Sequence, residues 1–204
     1  MARQVYALVL AAGQARRMGR LKQLLPFGEG TMLDAVIDAV LESPLDGMVI
    51  VANGQVTEVI EGRLPERCFV TLNDEARSEM IDSVRIGLDC LEQKLKPDSA
   101  DGVMILLADQ PQVSAGVIAT CAETFRLPRK PPEVLIPTYH GRRGHPTIFL
   151  ISRLKEIELW PADKKLSDLT HDHPEIVREL PITLCPMPID VNTPEDYARL
   201  TESL

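Results

Sequence analysis

Glycines and cations are concentrated in one short segment near the start of the chain, between Gly13 and Lys22. Gly13 and Gly19 let backbone N–H groups approach an anion, because glycine has no side chain beyond the α-carbon. Four cations accompany them: Arg16, Arg17, Arg20 and Lys22. Backbone amides and positive charges on one loop suit a polyphosphate, so we expect such an anion to bind here. The alternative is a basic surface turn whose charges are only solvated.

The spacing of this segment differs from two other phosphate-binding patterns. Five residues separate Gly13 from Gly19, where a Walker P-loop has four, and Arg20 stands where that motif requires lysine. The sequence also contains no GxGxxG dinucleotide fingerprint. Residues 1–28 hold five basic residues and no acidic one, although the formal net charge of the whole chain is −8. This distribution predicts a local anion site in an acidic protein and argues against a broad nucleic-acid-binding face.

Two aspartates are candidates for a metal site. Asp109 directly follows the most apolar run of the sequence, residues 103–108, and should emerge at the same sheet edge as the Gly13 loop. Because Mg²⁺ bound to a triphosphate is held by one or two carboxylates plus phosphate oxygens, we predict that Asp109 is a Mg²⁺ ligand. Asp190, at the end of a late strand, is the candidate second ligand. Asp109 could instead cap a turn, and Asp190 or Asn192 could organise the last helix.

Apolar runs predict the elements that position these residues. Strands are expected over residues 5–10, 48–52, 68–72 and 102–108, and helices over residues 56–64, 80–95 and about 115–125. Another helix should begin at a Thr31 cap and bury one face made of Leu33, Val36, Ile37, Val40 and Leu41. The alternation predicts an α/β fold in which helices cover both faces of a mostly parallel sheet.

The pattern changes after residue 132. Residues 134–136 and 147–150 are short strands around a polar, Gly-rich loop, and they predict a hairpin, which would be one antiparallel excursion on the sheet. Residues 182–189 predict a strand at an edge or bulged position, because Pro186 and Pro188 cannot donate ladder hydrogen bonds. Thr193 followed by Pro194 predicts the start of a final helix.

Composition places the chain among ordinary globular proteins, with 45% apolar and 25% charged residues. Its apolar runs are far shorter than the roughly 20 residues that a membrane helix requires, and the first residues show no signal-peptide pattern. We therefore expect a cytoplasmic protein that forms a single domain over residues 1–204. The four cysteines include no CxxC pair, so free thiols are expected. His171 and His173 have no further ligand nearby and are interpreted as surface residues.

The loop sequence resembles a known family. Leu10-Ala-Ala-Gly13, followed by Arg17-Met-Gly19 and Lys22, is similar to the opening signature of the molybdenum cofactor cytidylyltransferase and MobA-like nucleotidyltransferase group. Further similar pieces lie at residues 24–26, 107–111, 144–146 and 190–196, so the resemblance covers nearly the whole chain. It implies a three-layer α/β sandwich of the nucleotide-diphospho-sugar transferase type. It also implies transfer of a nucleoside monophosphate from CTP or GTP to a phosphate of molybdopterin, with release of pyrophosphate.

The resemblance also implies roles for individual residues. Arg17, Lys22 and Asp109 would be catalytic, and Asp109 and Asp190 would hold Mg²⁺. Gly144 and His145 would contact the acceptor, although His145 could equally be a satisfied loop histidine. The nucleotide would be bound by Leu10, Ala11, Ala12, Gly13, Arg17, Gly19, Lys22, Ser83 and Asp109. Leu-Ala-Ala-Gly is linked in the family with cytosine, which favours CTP. A molybdoenzyme or an insertion chaperone would receive the product.

Two departures from the family pattern concern the acceptor. Residues 161–166 lack the glycines and arginine of the family's Gly-Asp-x-Gly-Ala-Arg segment, and Glu79 stands where glycine is frequent. Two other functions therefore stay open: transfer to another phosphorylated acceptor, such as a sugar or polyol phosphate, and a non-catalytic molybdenum-cofactor carrier. Retention of Arg17, Lys22 and Asp109 together argues against the carrier, because a carrier needs no metal carboxylate.

Overall fold

The computed structural model describes residues 3–14, 20–75, 78–127, 132–161, 164–183, 185 and 187–202. Its strands are β1 (Val5–Ala11), β2 (Pro26–Phe27), β3 (Gly30–Thr31), β4 (Met48–Ala52), β5 (Cys68–Leu72), β6 (Gly102–Leu107), β7 (Val134–Tyr139), β8 (Arg142–Arg143), β9 (Thr147–Leu150) and β10 (Val177–Ile182). Its α-helices are α1 (Met32–Leu41), α2 (Gly54–Ile60), α3 (Met80–Leu95), α4 (Ala115–Arg126), α5 (Ile151–Leu154), α6 (Leu166–Asp172) and α7 (Pro194–Thr201). Short 3-10 helices lie at Lys22–Leu24, Lys155–Leu159 and Pro174–Ile176.

A mixed, mostly parallel sheet forms the centre of the molecule. Its strand order is β10-β7-β9-β6-β1-β4-β5, and β8 pairs with the end of β7. β1 is parallel to both of its neighbours: Val9 lies opposite Ile50 of β4 and Leu106 of β6. β9 is antiparallel to β6 and β7. The α/β class, the mostly parallel sheet and the antiparallel excursion predicted from the sequence are therefore confirmed.

The side chains of β1 alternate between two apolar cores, one on each face of the sheet. Val5, Ala7 and Val9 point into the core that the sheet shares with α1 and α4. Tyr6 and Leu8 point into the core on the opposite face, against α3 and α5. All five are fully buried, which explains why β1 reads as an unbroken apolar run. Among the described residues, no helix is long and apolar enough to cross a membrane.

Capping side chains explain where the first helices begin. Thr31 caps α1 as predicted, and Asp34 returns the bond to the Thr31 backbone in a capping box. Leu41, expected on the buried face of this helix, is 45% exposed because it is the last residue of the helix. α2 begins before the predicted residue 56, because the Asn53 side chain accepts a hydrogen bond from the Val56 backbone and caps the helix there.

The carboxyl-terminal part holds one confirmed element and one correction. The predicted hairpin is present, with Val134 opposite Phe149 and Leu135 opposite Ile148. The strand predicted over residues 182–189 is wrong, because β10 ends where that strand should begin. β10 does lie at the sheet edge and contains Pro181, which an edge strand tolerates since its outer side needs no hydrogen-bond donor. The described residues between β10 and α7 form an irregular segment.

Gly87 lets α3 approach the sheet closely. A Cβ atom at this position would lie 2.2 Å from a Leu8 methyl carbon and 2.8 Å from a Val51 methyl carbon. Both distances are below van der Waals contact, so the Leu8 and Val51 side chains, or the backbone that carries them, would have to shift. The close approach matters for function because the first turn of α3 lies at the sheet edge to which β1 and β6 lead.

We predict that Gly87→Ala lowers the free energy of unfolding by about 1–3 kcal/mol, because overpacking outweighs the better helix propensity of alanine. Urea denaturation measures the change. Gly116→Ala is the matched control, since Gly116 also lies in a helix but its nearest atom to an added Cβ is Ser114 Oγ at 3.9 Å. The control should leave stability unchanged or raise it by about 0.5–1 kcal/mol. Equal effects of the two substitutions would contradict the packing argument.

Candidate functional site

A cavity of about 490 Å³ opens at the carboxyl ends of β1 and β6. Open α/β sheets bind ligands at this edge, where parallel strands deliver their following loops to one place. The residues that line the cavity come from the loop after β1, the loop after β5, the start of α3, the turn after β6 and the segment before α7. They are Leu10, Ala11, Ala12, Gly13, Gln14, Lys22, Gln23, Asn73, Glu75, Ser78, Glu79, Met80, Ser83, Leu107, Ala108, Asp109, Asp190 and Asn192.

Gln23 ties the two ends of the first loop together. Its Nε2 donates to the Ala11 carbonyl at 2.9 Å and to the Gly13 carbonyl at 3.0 Å. The side chain is only 2% exposed, so these bonds satisfy a buried amide. Sequence reasoning did not single out Gln23, although a neutral polar residue next to an apolar pair was a usable signal. The consequence is that Lys22, one residue earlier, is held beside the end of β1.

Lys22 contacts the acid that follows β6. Its Nζ forms an ion pair with Asp109 Oδ2 and a hydrogen bond of 3.1 Å to Asn192 Oδ1. The Lys22 and Asp109 side chains are 25% and 15% exposed, so water screens their charges less than at an open surface. The predicted proximity of the cationic loop and Asp109 is thus present. The catalytic and metal-binding roles of both residues stay predictions.

Asp190 reaches the cavity by a route that the sequence did not indicate. It does not end a strand, as expected, but lies in the irregular segment after β10. Its carboxylate accepts a 2.6 Å hydrogen bond from Gln110 Nε2. The alternative that Asp190 or Asn192 caps the last helix finds no support, because the Thr193 side chain caps α7 and Asp196 completes the capping box. The side chains of Asp190 and Asn192 are therefore available to the cavity.

Asn73 organises the other end of the cavity. Its Nδ2 donates to Ser78 Oγ and to Ser83 Oγ, both at 2.8 Å. Asn73 and Ser83 are 4% and 7% exposed and line the cavity, so their hydrogen bond is largely shielded from bulk solvent. Because Ser83 Oγ accepts from Asn73, its own proton is available as a donor to a ligand. Ser83 thus lies where a base contact was predicted, and that role stays a prediction.

Gly144 and His145 are absent from the described lining of the cavity, although the charges of Asp109 and Asp190 act on His145. The Gly144 N–H donates to the Pro137 carbonyl at 3.0 Å, and the Tyr139 hydroxyl donates to the His145 carbonyl at 2.8 Å. His145 Nδ1 is buried and has no hydrogen-bond partner among the residues that the structure describes. Burial lowers the pKa of His145 from its ordinary value of 6.5, and a backbone hydrogen bond at Ile105 and the charges of Asp190 and Asp109 oppose this only in part.

Three expected residues of the first loop, Arg16, Arg17 and Gly19, lie outside the described residues. Their predicted contacts with the β- and γ-phosphates therefore stay predictions. Arg20, the next residue along the chain, is described and exposed. His171 and His173 are exposed as expected.

The oxygen atoms of the cavity suit a hard divalent cation. Asp109 and Asp190 contribute carboxylates, and Asn192 contributes an amide oxygen that points toward the Lys22–Asp109 pair. In the described ranges, no group of three His, Cys, Asp or Glu residues forms a metal site by protein ligands alone. This donor set fits Mg²⁺, which is commonly bound by one or two carboxylates together with substrate phosphates.

Comparison with known proteins finds a family and several relatives that this chain is similar to. The family model of the MobA-like NTP transferase domain matches residues 7–177. Among curated proteins, the purine catabolism protein PucB of Bacillus subtilis is 30% identical over 127 residues, which are 57% of this chain and 60% of PucB. The match thus spans less than two-thirds of that relative.

Solved structures resemble the chain over nearly its full length. Rv0371c from Mycobacterium tuberculosis is 29% identical with a TM-score of 0.83, and 99% of each chain is covered. A complex of Rv0371c with manganese has a TM-score of 0.79 at 29% identity and covers 99% of this chain and 100% of that one. A nucleotidyl transferase from Methanothermobacter, 21% identical with a TM-score of 0.76, covers 98% of this chain and 97% of its own and shares the fold.

We predict that His145 titrates with a midpoint below 6.5, because burial disfavours the charged ring. It should therefore be neutral at pH 7. The unfolded chain then binds more protons than the folded one in the window from about pH 6.5 down to the folded pKa, so acidification through that window should cost stability. NMR titration of the imidazole protons measures the midpoint, and His145→Gln identifies the signal. A midpoint at or above 6.5 would contradict the assignment.

Proposed function

Because the chain belongs to the MobA-like NTP transferase family, we propose that it transfers CMP from CTP to a phosphate of a molybdopterin-type acceptor and releases pyrophosphate. The observation that carries the proposal is the convergence of Lys22, Asp109 and Asn192 at one end of the cavity. A lysine beside a carboxylate and an amide oxygen can bind a nucleoside triphosphate together with a divalent cation. The membership of the family makes the chain a nucleotidyltransferase, and the base, the acceptor and the metal are proposals.

The charge of the cavity supports a requirement for Mg²⁺. Among its described lining residues, Lys22 is the only cation, whereas Glu75, Glu79, Asp109 and Asp190 are acids. A triphosphate brings about four further negative charges, so one lysine cannot balance it. The arginines of the first loop and a divalent cation would supply the missing positive charge. When bound, Mg²⁺ would neutralise and orient the phosphates, and Asp109, Asp190 and Asn192 would hold it.

In this proposal the protein acts mainly by positioning and by charge. An acceptor phosphate oxygen attacks the α-phosphorus of CTP, the bond to the β-phosphate oxygen breaks, and pyrophosphate leaves. The Lys22 ammonium would exchange Asp109 for a phosphate oxygen and stabilise the charge that develops on the α-phosphate. The amides of the Gly13 loop would hold the leaving phosphates. No covalent intermediate on the protein is needed.

The preference for CTP rests on the Leu10-Ala-Ala-Gly13 sequence and on Ser83. The cytosine edge presents two acceptors, N3 and O2, and the free Ser83 proton is a donor suited to either of them. Gly144 and His145 are proposed to contact the acceptor, because the charges of Asp109 and Asp190 act on His145 and Gly144 directly precedes it. The finished dinucleotide cofactor would pass to a molybdoenzyme or an insertion chaperone.

Pyrophosphate release tests the proposal directly. The protein is incubated with Mg²⁺, molybdopterin and each of the four common nucleoside triphosphates in turn. We expect release with CTP, less with GTP, and none when molybdopterin is omitted. Release only with a sugar or polyol phosphate would contradict the acceptor, and tight molybdopterin binding with no release from any nucleotide would show a carrier instead.

A matched pair of lysine substitutions controls this assay. Lys22→Met should lower the rate by at least about 100-fold, the typical cost of removing one group that stabilises transition-state charge. Lys155→Met removes another lysine that is paired with an acid, Glu92, on the surface away from the cavity, and should leave the rate unchanged. Similar rates for wild type and Lys22→Met would exclude a catalytic role for Lys22.

A further inference from the structure

The segment before α7 brings Asp190 to the cavity without regular structure to hold it. Residues 187–192 belong to neither a helix nor a strand, and Asp190 is exposed. A carboxylate on such a segment samples several rotamers unless another group restrains it, and ordering it on ligand binding would cost entropy. A catalytic or metal-binding role for Asp190 therefore requires a restraint.

Two backbone contacts hold the segment to the turn that follows β6. The Val191 N–H donates to the Asp109 carbonyl at 3.2 Å, and the Ile189 N–H lies 3.4 Å from Gln112 Oε1. Both contacts fix the main chain of the segment. Neither restrains the side chain of Asp190.

Gln110 supplies the restraint on the side chain. It follows Asp109 directly and is 5% exposed. Its own backbone is held on both sides, since its N–H donates to the Leu107 carbonyl at 3.1 Å and its carbonyl accepts from Val113 at 3.2 Å. From this fixed position its Nε2 donates to Asp190 Oδ1 at 2.6 Å.

The other end of the Gln110 amide indicates why it is oriented in this way. Gln110 Oε1 is buried and has no hydrogen-bond partner among the described residues. Leaving a buried oxygen unpaired is unfavourable, but rotating the amide would place Oε1 against Asp190 Oδ1, and two acceptors repel each other. The charged partner thus decides the orientation, and the amide donor is committed to Asp190.

We propose that Gln110 is a positioning residue that fixes the Asp190 carboxylate in the cavity and thereby sets the affinity of the site for a divalent cation. This inference rests on the proposed function for its relevance to catalysis, since it concerns how one of the proposed metal ligands is held. Gln110 occupies one oxygen of Asp190 and leaves Oδ2 for the ligand. The turn after β6 then positions both carboxylates. Asp109 belongs to this turn, and Asp190 is held by the side chain of Gln110 in the same turn.

Titration of the protein with Mn²⁺ alone, with free Mn²⁺ followed by electron paramagnetic resonance, tests the inference. Gln110→Met keeps the length of the side chain and removes the donor. We expect its Kd for Mn²⁺ to rise about 10-fold or more, because groups that orient metal ligands typically contribute 10- to 100-fold to affinity. Gln93→Met is the control, because Gln93 is an exposed residue of α3 outside the cavity lining, and its Kd should stay within about threefold of wild type.

A second variant keeps the test decisive if Gln110→Met unfolds. Asp190→Asn changes an exposed residue and should weaken Mn²⁺ binding to a similar degree. Where both fold, Gln110→Met combined with Asp190→Asn should bind Mn²⁺ no more weakly than Asp190→Asn alone, because the two residues act through one carboxylate. An unchanged Kd in Gln110→Met or in Asp190→Asn, or an equal loss in Gln93→Met, would overturn the proposal.

Kinetics separate this inference from the proposed function. If the protein transfers CMP, Gln110→Met should lower kcat by about 10-fold or more and change the KM for CTP by less than about threefold, because the substitution affects orientation rather than nucleotide contacts. If wild type releases no pyrophosphate with any acceptor, the proposed function fails while the Mn²⁺ result still decides the role of Gln110.

Discussion

The ion pair between Lys22 and Asp109 is the interaction on which the site depends. The two residues are 87 positions apart, yet they meet because β1 and β6 are neighbouring parallel strands whose carboxyl ends reach the same edge. Both side chains are mostly buried, so neither charge is stable alone. Lys22 needs Asp109 or an anionic ligand beside it, and Asp109 needs Lys22 or a cationic ligand. A triphosphate can replace Asp109 beside Lys22, and a divalent cation can replace Lys22 beside Asp109.

The rest of the site holds these two charges in place. Gln23 fixes the loop that carries Lys22, and the β6 turn fixes Asp109 and, through Gln110, also Asp190. On the far side, Gly87 lets α3 lie close against the sheet, so that Ser83 reaches the cavity. The supporting residues are buried and uncharged, whereas the groups that meet a ligand are charged or polar. The buried residues thus hold in place the polar groups that line the cavity.

The sequence predicted the elements that a local pattern specifies. β1, β4, β5 and β6 are apolar runs with obvious ends, and the Thr31 and Thr193 caps mark helix starts, so both the parallel sheet and the meeting of Lys22 with Asp109 could be inferred. The prediction of a strand over residues 182–189 was wrong, because an apolar run that contains two prolines does not show which of its residues form hydrogen bonds with a neighbouring strand. The prediction that Leu41 is buried was wrong, because hydrophobic periodicity does not show at which residue a helix extends beyond the core.

The polar supports could not be predicted in the same way. Gln23, Asn73 and Gln110 act through contacts that exist only after folding, such as the bond from Gln110 to a residue 80 positions away. A sequence pattern contains no period or spacing for such pairs. The family resemblance indicated Asp190 through its motif. Its side chain reaches the cavity, however, because tertiary contacts hold the segment against the turn after β6.

Anomalous diffraction from crystals grown with Mn²⁺ and a non-hydrolysable CTP analogue tests the central claim most directly. We predict a manganese peak bound to the Asp109 carboxylate and to phosphate oxygens of the analogue, with Lys22 turned from Asp109 to phosphate. A manganese peak remote from Asp109, or an analogue bound while Lys22 keeps its contact with Asp109, would contradict it.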